Sequence, residues 1–252
     1  MYKKLLKILV MIGLVALTFG SLPALAEDDS LSISADVGVY SQYIWRGYAL
    51  SYESIVIQPS VTLGYDGFGL DGFSLNVWGN FDTDYSDIFG GDTGTDYNET
   101  DFTLSYDWSY DIIDFGLGFI YYDLDGGDTQ EVYFSASFEG YLNPTFTFYK
   151  DIDAFKGWYV NIGVGHSYAV TSAIVLDLSG SIGYYDLDDD SYHALHDANV
   201  SVSSTFAITD NLTMTPSLTY TWAITTNAKA ELMDPKGNTD HFVGGFTCTY
   251  SF

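Results

Sequence analysis

Beyond residue 26 the hydrophobic residues of this chain recur at every second position. In AIVLDLSGSIGYY (173–185), Ile174, Leu176, Leu178, Ile182 and Tyr184 share one face, while Val175, Asp177, Ser179, Ser181 and Gly183 share the other. In LTMTPSLTYTWAI (212–224), Leu212, Met214, Leu218, Tyr220 and Trp222 alternate with Thr213, Thr215, Ser217, Thr219 and Thr221. The final stretch, HFVGGFTCTYSF, puts Phe242, Phe246, Cys248, Tyr250 and Phe252 on one side. Period two is the signature of strands with two different faces, and no helical period competes with it. The pattern predicts about twelve strands, near 33–45, 53–65, 72–82, 99–109, 112–122, 130–140, 142–151, 157–168, 172–185, 196–207, 211–223 and 240–252. Each has the length that a tilted strand needs to cross a bilayer.

The connections between these strands alternate in length. RGYALSYE, TDYSDIFGGDTGTDYN, DLDGGDT, DIDAFK, DLDDDSYHAL and TTNAKAELMDPKGNT follow the odd-numbered strands, whereas YD, YL, VTS and ITD follow even-numbered ones. Long loops on one side and tight turns on the other describe an all-β fold: a single closed antiparallel transmembrane β-barrel. Aromatic residues gather at strand ends (Tyr65, Trp108, Tyr121, Trp158, Tyr168, Tyr184, Trp222), as interfacial girdles require. A soluble β-sandwich would need a second sheet to cover each apolar face. The barrel needs none, and it occupies residues 27–252 as one domain.

The first 26 residues differ in chemistry. Lys3, Lys4 and Lys7 precede the short apolar run ILVMIGLVALTFG, and ALA at 24–26 offers small residues for cleavage. This reads as a secretory signal peptide over 1–26. It exports the chain, and together with the barrel pattern it gives the outer membrane of a Gram-negative bacterium as the expected location. Lys and Arg number eight in all, and three lie in this leader. The remaining five face 34 Asp and Glu, a formal charge near −29. So acidic a surface repels nucleic acid and suits cations or divalent bridges. The outer-membrane lipid, small solutes and ions are the partners expected, with homo-oligomerisation left open. Cys248 is the one cysteine, so no intrachain disulfide staples the fold; it reads as a small hydrophobe facing lipid.

The second parity points into the lumen. It reads Ser60, Thr62, Gly116, Gly118, Ser135, Ser137, Thr145, Thr147, Gly163, Gly165, Ser179, Ser181, Thr213, Thr215, Ser217, Thr219, Thr247 and Thr249, which are small and hydroxylic. Twelve strands lined this way are expected to leave an open interior, although the loop 83–97 or 224–239 could fold inward. Acidic lumen candidates are Asp36, Asp101, Asp107, Asp114, Glu131, Glu139, Asp177 and Asp197. Acidic linings favour cations, but some of these carboxylates could equally stand at strand ends in bulk water. Arg46, the single arginine, is expected at the outer rim, at the end of the first strand, with Tyr43 and Trp45 on the membrane parity. Its preferred role is structural, pairing with acids of neighbouring strands. The competing role is a positive spot that orients a solute.

YSQYIWRGYALS, followed by QPSVTLGY and LNVWGNFD, resembles the opening of the TorF-type porins, a proteobacterial outer-membrane family. The matching positions are Ser41, Tyr43, Arg46 and Gly47, then Pro59 and Trp78; LNPTFTFYKDIDAFKGWYVNIGVGHSY (142–168) also resembles the family's middle section. The resemblance implies an outer-membrane barrel and a pore, and it carries no catalytic residues. The heavy load of loop aspartates departs from it.

Other chemistry is thin. His166, His193, His196 and His241 lack any accompanying nucleophile motif, so they read as surface or interfacial residues and no enzyme is expected. Clustered acids in DTDYSDIFGGDTGTD, DLDGGD and DLDDD suggest at most weak divalent binding, with Asp123, Asp125, Asp128, Asp188 and Asp190 as candidates and His193 and His196 as a further metal contact. The sequons NET, NVS and NLT lie on or beside strands and carry no weight. No cofactor is implied. The expected function is a porin-like channel for passive diffusion of small hydrophilic solutes, favouring cations or neutral molecules. The alternative is a closed structural or surface-binding barrel whose acidic loops hold divalent ions.

Overall fold

Twelve long strands close on themselves. The computed structural model describes residues 31–52, 54–66, 71–85, 94–171, 174–188 and 192–252. The expected leader, Asp190 and the centre of the 83–97 loop lie outside these residues. The wall is built from β1 (Leu31–Tyr40), β4 (Val56–Tyr65), β5 (Phe73–Tyr85), β6 (Gly94–Tyr110), β7 (Ile113–Leu124), β8 (Gly127–Phe138), β9 (Thr145–Asp151), β10 (Gly157–Ala169), β11 (Val175–Leu187), β12 (His193–Ser203), β14 (Leu212–Ala223) and β15 (Asp240–Ser251). Three two-residue strands lie in connections: β2 (Ile44–Trp45), β3 (Tyr48–Ala49) and β13 (Phe206–Ala207). One short helix, α1 (Thr226–Glu231), follows β14.

Every neighbouring pair in the wall is antiparallel. β1 pairs with β4 on one side and β15 on the other, and the β12–β14 pairing completes the ring. Closure removes sheet edges, so each backbone N–H and C=O of the wall has a partner without water, as a bilayer demands. The period-two pattern fixes the register, because a slip of one residue would turn every apolar side chain inward.

The outward face is an apolar belt. Val37, Leu75, Leu104, Leu117, Ile162, Leu178, Val200 and Leu218 are each 42–51% exposed on eight different strands. A water-soluble monomer does not surround itself with such a surface. Aromatic rings border the belt at both levels. Tyr106, Trp108 and Phe115 stack in series near the β6–β7 turn. Trp158 and Tyr184 stack at the opposite end, as do Tyr220 and Trp222. These are the expected girdles.

The inward face carries the Ser, Thr and Gly positions that parity assigns to it, tied by cross-strand bonds such as Ser74–Ser105 (2.6 Å), Ser201–Thr219 (2.9 Å) and Asn199 Nδ2 to Ser181 Oγ (2.8 Å). Register shifts modify the alternation. One skips Asn98 in β6, another falls between Asp82 and Tyr85 of β5, and a third places both His196 and Asp197 of β12 inside. The interior is not as empty as small residues suggest. Tyrosines lie across the glycines, Tyr133 over Gly118 and Tyr159 over Gly183, filling the space that a Cβ would occupy.

Candidate functional site

The first connection, residues 41–55, does not stay at the rim. β1 ends at Tyr40, five residues earlier than the sequence pattern suggests, and the chain then turns into the lumen. Trp45-Arg46-Gly47-Tyr48 forms a two-residue hairpin between β2 and β3, with φ of 48° at Arg46 and 83° at Gly47. Positive φ at both central residues is the geometry of a type I′ turn, which glycine adopts readily and arginine does not. The base of the loop is tied down by Tyr43 N–H donating to Ser51 Oγ (2.7 Å) and Gln42 Nε2 donating to the Ser51 carbonyl (2.9 Å).

Arg46, at the hairpin tip, reaches the far wall. Its Nη1 and Nη2 donate to Oε1 and Oε2 of Glu131 on β8 at 2.8 and 2.7 Å. Both side chains are buried, 8% and 4% exposed. Tyr122 of β7 donates to the same carboxylate at 2.8 Å. The guanidinium also packs on three rings, 4.3 Å from Trp45, 4.3 Å from Tyr149 and 4.7 Å from Tyr159. Fork-to-fork pairing and ring stacking both need a planar, delocalised cation, so lysine could not substitute.

The hairpin is held from above as well. Tyr48 packs with Ala223, Ala228 and Leu232, the α1 side of the last long loop, and its hydroxyl donates to Glu231 Oε1 at 3.0 Å. Its ring also lies 5.2 Å from the ring of His196. A Cβ on Gly47 would meet Leu232 at 2.8 Å and Asp197 at 2.9 Å. Thr225 Oγ1 caps α1 by accepting from Ala228 N–H (3.2 Å), and Asp234 ties the following turn by accepting from Asn238 N–H (2.7 Å) and Lys236 N–H (2.9 Å). Burial alone would raise Asp234, but these bonds outweigh it and hold its carboxyl below the ordinary range.

Below the hairpin lies a cavity of about 590 Å³. Its aromatic wall comes from Tyr149 and Tyr159, members of a row in which Tyr133, Tyr149, Tyr159 and Tyr185 sit directly opposite one another on β8 to β11. Its polar wall includes Gln58, Asn161, Asn199, Thr147, Ser181 and Thr219.

The sequence-derived lumen residues divide into three groups. Arg46 and Glu131 meet directly, and Asp101, on the same inner face, lies near Glu99 and Glu131. Asp36 and Asp107 line the opposite half of the lumen, where Thr249 (2.5 Å) and Ser60 (3.3 Å) donate to Asp36 and Ser105 (3.5 Å) donates to Asp107. Asp114 and Asp177 stand at the short-turn rim in contact with Ser109 and Ser167. Three expectations fail. Tyr43 and Trp45 face the lumen, not lipid, with Tyr43 packing on Trp78, because they belong to the inward loop. Glu139 lies in the exposed β8–β9 connection, not in the lumen. His196 and His241 are buried, not at a surface, and the β12 bulge turns His196 inward against Tyr48, Tyr185 and Tyr192.

Asp128 accepts from Tyr121 (3.1 Å), and Asp188 pairs with Lys150 (2.5 Å). Asp123 of β7 lies opposite Asp128 of β8, and Asp125 lies in the turn between the two strands. Among the described residues no group of three or more His, Cys, Asp or Glu is placed to hold a metal ion.

No protein-family model matches the chain, and no curated protein matches it. Solved structures do. The KdgM porin is similar with a TM-score of 0.55 at 11% identity, over 87% of this chain and 99% of its own. The COG4313 outer membrane channel from Pseudomonas putida F1 gives 0.54 at 11% identity, over 88% and 96%. The NanC porin gives 0.52 at 12% identity, over 87% and 98%. The fold of this chain is that of outer-membrane channel barrels.

Proposed function

We propose that the protein is a porin-like channel of the Gram-negative outer membrane, passing small hydrophilic solutes passively and favouring neutral molecules and cations over anions. The observation that carries this reading is the closed twelve-stranded wall, apolar outside and hydroxylic inside, around a lumen whose only arginine is already neutralised by Glu131. The inward carboxyl groups of Asp36, Glu99, Asp101 and Asp197 then line the passage with oxygen acceptors and bring no positive charge to it. Such a lining attracts cations and raises the barrier for anions. The likeness to the KdgM, COG4313 and NanC channel folds supports it, as does the resemblance of the Ser41–Gly47 segment to the TorF-type porins. A KdgM porin structure is described in complex with disordered oligogalacturonate. A polyanion of that kind does not suit this lumen. No reaction is assigned to the protein.

The hairpin across the lumen favours a second reading, a barrel closed to solutes that presents acidic loops outside. Single-channel recording of the mature protein in a planar bilayer under a salt gradient separates the two. Steady conductance with a cation-selective reversal potential supports the channel. A correctly inserted barrel that stays silent, and stays silent after Arg46→Ala, refutes it in favour of the closed form.

A further inference from the structure

The hairpin across the lumen and the helix that follows β14 are seated on the same end of β12. The ring of Tyr48 lies 5.2 Å from that of His196, the His196 carbonyl accepts from Ile224 N–H (3.0 Å), and the Leu195 carbonyl accepts from Thr225 Oγ1 (3.1 Å). The two elements also touch directly. Ala223, Ala228 and Leu232, each 0–3% exposed, form one apolar cluster, and Tyr48 of the hairpin packs against it. No gap separates the turn from the loop, since a Cβ on Gly47 would meet Leu232 at 2.8 Å. The hairpin tip therefore cannot move toward the long-loop side without displacing Leu232.

Neither element is stable by itself. α1 has six residues, far fewer than a lone helix needs in water, and its buried residue is Ala228. The β2–β3 hairpin has two residues in each strand, and even longer hairpins are marginal when isolated. Its turn also holds Arg46 at a φ of 48°, where a non-glycine residue is strained. Docking therefore depends on two anchors. One is the ion pair with Glu131 on the wall; the other is the Tyr48 cluster, with Tyr48 Oη donating to Glu231 Oε1 (3.0 Å). Undocking the hairpin uncovers the face that keeps α1 folded, and melting α1 uncovers Tyr48. Marginal elements that share a buried face open as one cooperative unit.

We propose that the 41–55 hairpin and the 224–239 loop are one two-layer gate, in which the hairpin obstructs the lumen, α1 is its lid, and the two open together. Its effect on solute passage rests on the channel reading, but the coupling belongs to the loops and needs no conduction. The test is hydrogen exchange, read by mass spectrometry on the refolded mature protein in detergent, in peptides from both segments. Arg46 packs on the wall against Glu131, Tyr149 and Tyr159, so Arg46→Ala perturbs the hairpin at the end away from α1. Thr225→Val perturbs the lid instead, by removing the hydroxyl that caps α1. In Arg46→Ala, exchange is expected to quicken about tenfold or more at Leu50, whose N–H bonds the Tyr43 carbonyl, and also at Lys229 and Leu232, whose N–H groups bond within the lid. In Thr225→Val both segments are expected to quicken about fivefold, as the loss of a helix cap implies. Exchange in β10 and β11 should stay as in wild type. Faster exchange confined to 41–55 in Arg46→Ala, or to 224–239 in Thr225→Val, overturns the proposal, and so does exchange unchanged in both segments. Equal quickening of β10 and β11 overturns it too, because the wall and not a gate would then have loosened. Thr225→Val carries the test alone should Arg46→Ala fail to fold. Coupled exchange in a barrel that passes no current, in wild type or either variant, would keep the paired opening and refute the channel reading instead.

Discussion

Replacing Arg46 by alanine removes the ion pair that fixes the hairpin tip to the far wall. The guanidinium makes two charge-assisted hydrogen bonds to a carboxylate that is 4% exposed and packs on three aromatic rings. Removing one partner of a buried pair costs about 3–5 kcal/mol, most of it from the charge left unpaired. Cation–π contacts in desolvated surroundings add up to about 2 kcal/mol, though not independently of the ion pair. Because the hairpin belongs to the 41–55 connection and is not a strand of the wall, the barrel wall does not have to absorb this loss. The hairpin can swing away and let water reach Glu131. An effect of about 3 kcal/mol corresponds to a shift of roughly a hundredfold in the balance between docked and displaced hairpin. The assay is single-channel conductance and open-state noise of Arg46→Ala against wild type, with β-sheet circular dichroism confirming the barrel. Larger conductance or far more frequent open events are expected. Glu131→Gln should act in the same direction. Replacing both residues by Met, which strands no charge, should restore near-wild-type behaviour. Conductance and protease sensitivity of the 41–55 loop unchanged in Arg46→Ala would refute the latch.

The same hairpin is sensitive at its neighbouring turn residue. Gly47→Ala places a side chain at a φ of 83° and against Leu232 and Asp197, so a cost of about 1–2 kcal/mol from the backbone alone is expected, with faster proteolysis of the loop and a smaller rise in conductance than Arg46→Ala. On the outward face, Leu104→Arg at mid-height of β6 should lower folding stability in phospholipid vesicles by about 2–4 kcal/mol, measured by guanidinium titration. No loss would mean that this face does not meet lipid. Asp234 has a depressed carboxyl pKa in the folded loop, so its contribution is present above the ordinary aspartate range near 4 and is lost as pH falls through its own lower value. Hydrogen exchange in residues 232–239 should therefore rise below pH ~4, and Asp234→Asn should abolish that dependence. An identical acid transition in Asp234→Asn would exclude this carboxyl as its source.

The strand count, the parity of the faces and the alternation of long and short connections were legible in the sequence. Each is a local property: a strand facing lipid on one side and a polar interior on the other must alternate at period two, whichever strands are its neighbours. Leu178 outside and Ser179 inside could be assigned from 173–185 alone. The pairing of Arg46 with a carboxylate was legible in kind, because a lone guanidinium in an acidic barrel must find one. That the partner is Glu131, 85 residues away on the facing wall, depends on ring closure and strand register, which no local pattern encodes. The inward turn of the 41–55 loop was hidden because Tyr43 and Trp45 continue the alternation of β1 past its end. The Arg-Gly pair flanked by aromatics was the available signal for a hairpin there. His196 escaped for a related reason, since one extra residue in β12 reverses its side. The sequence alone determined the wall, because its pattern answers to the solvent on each face. Only the tertiary structure decided what crosses the lumen, because that depends on which side chains closure brings face to face.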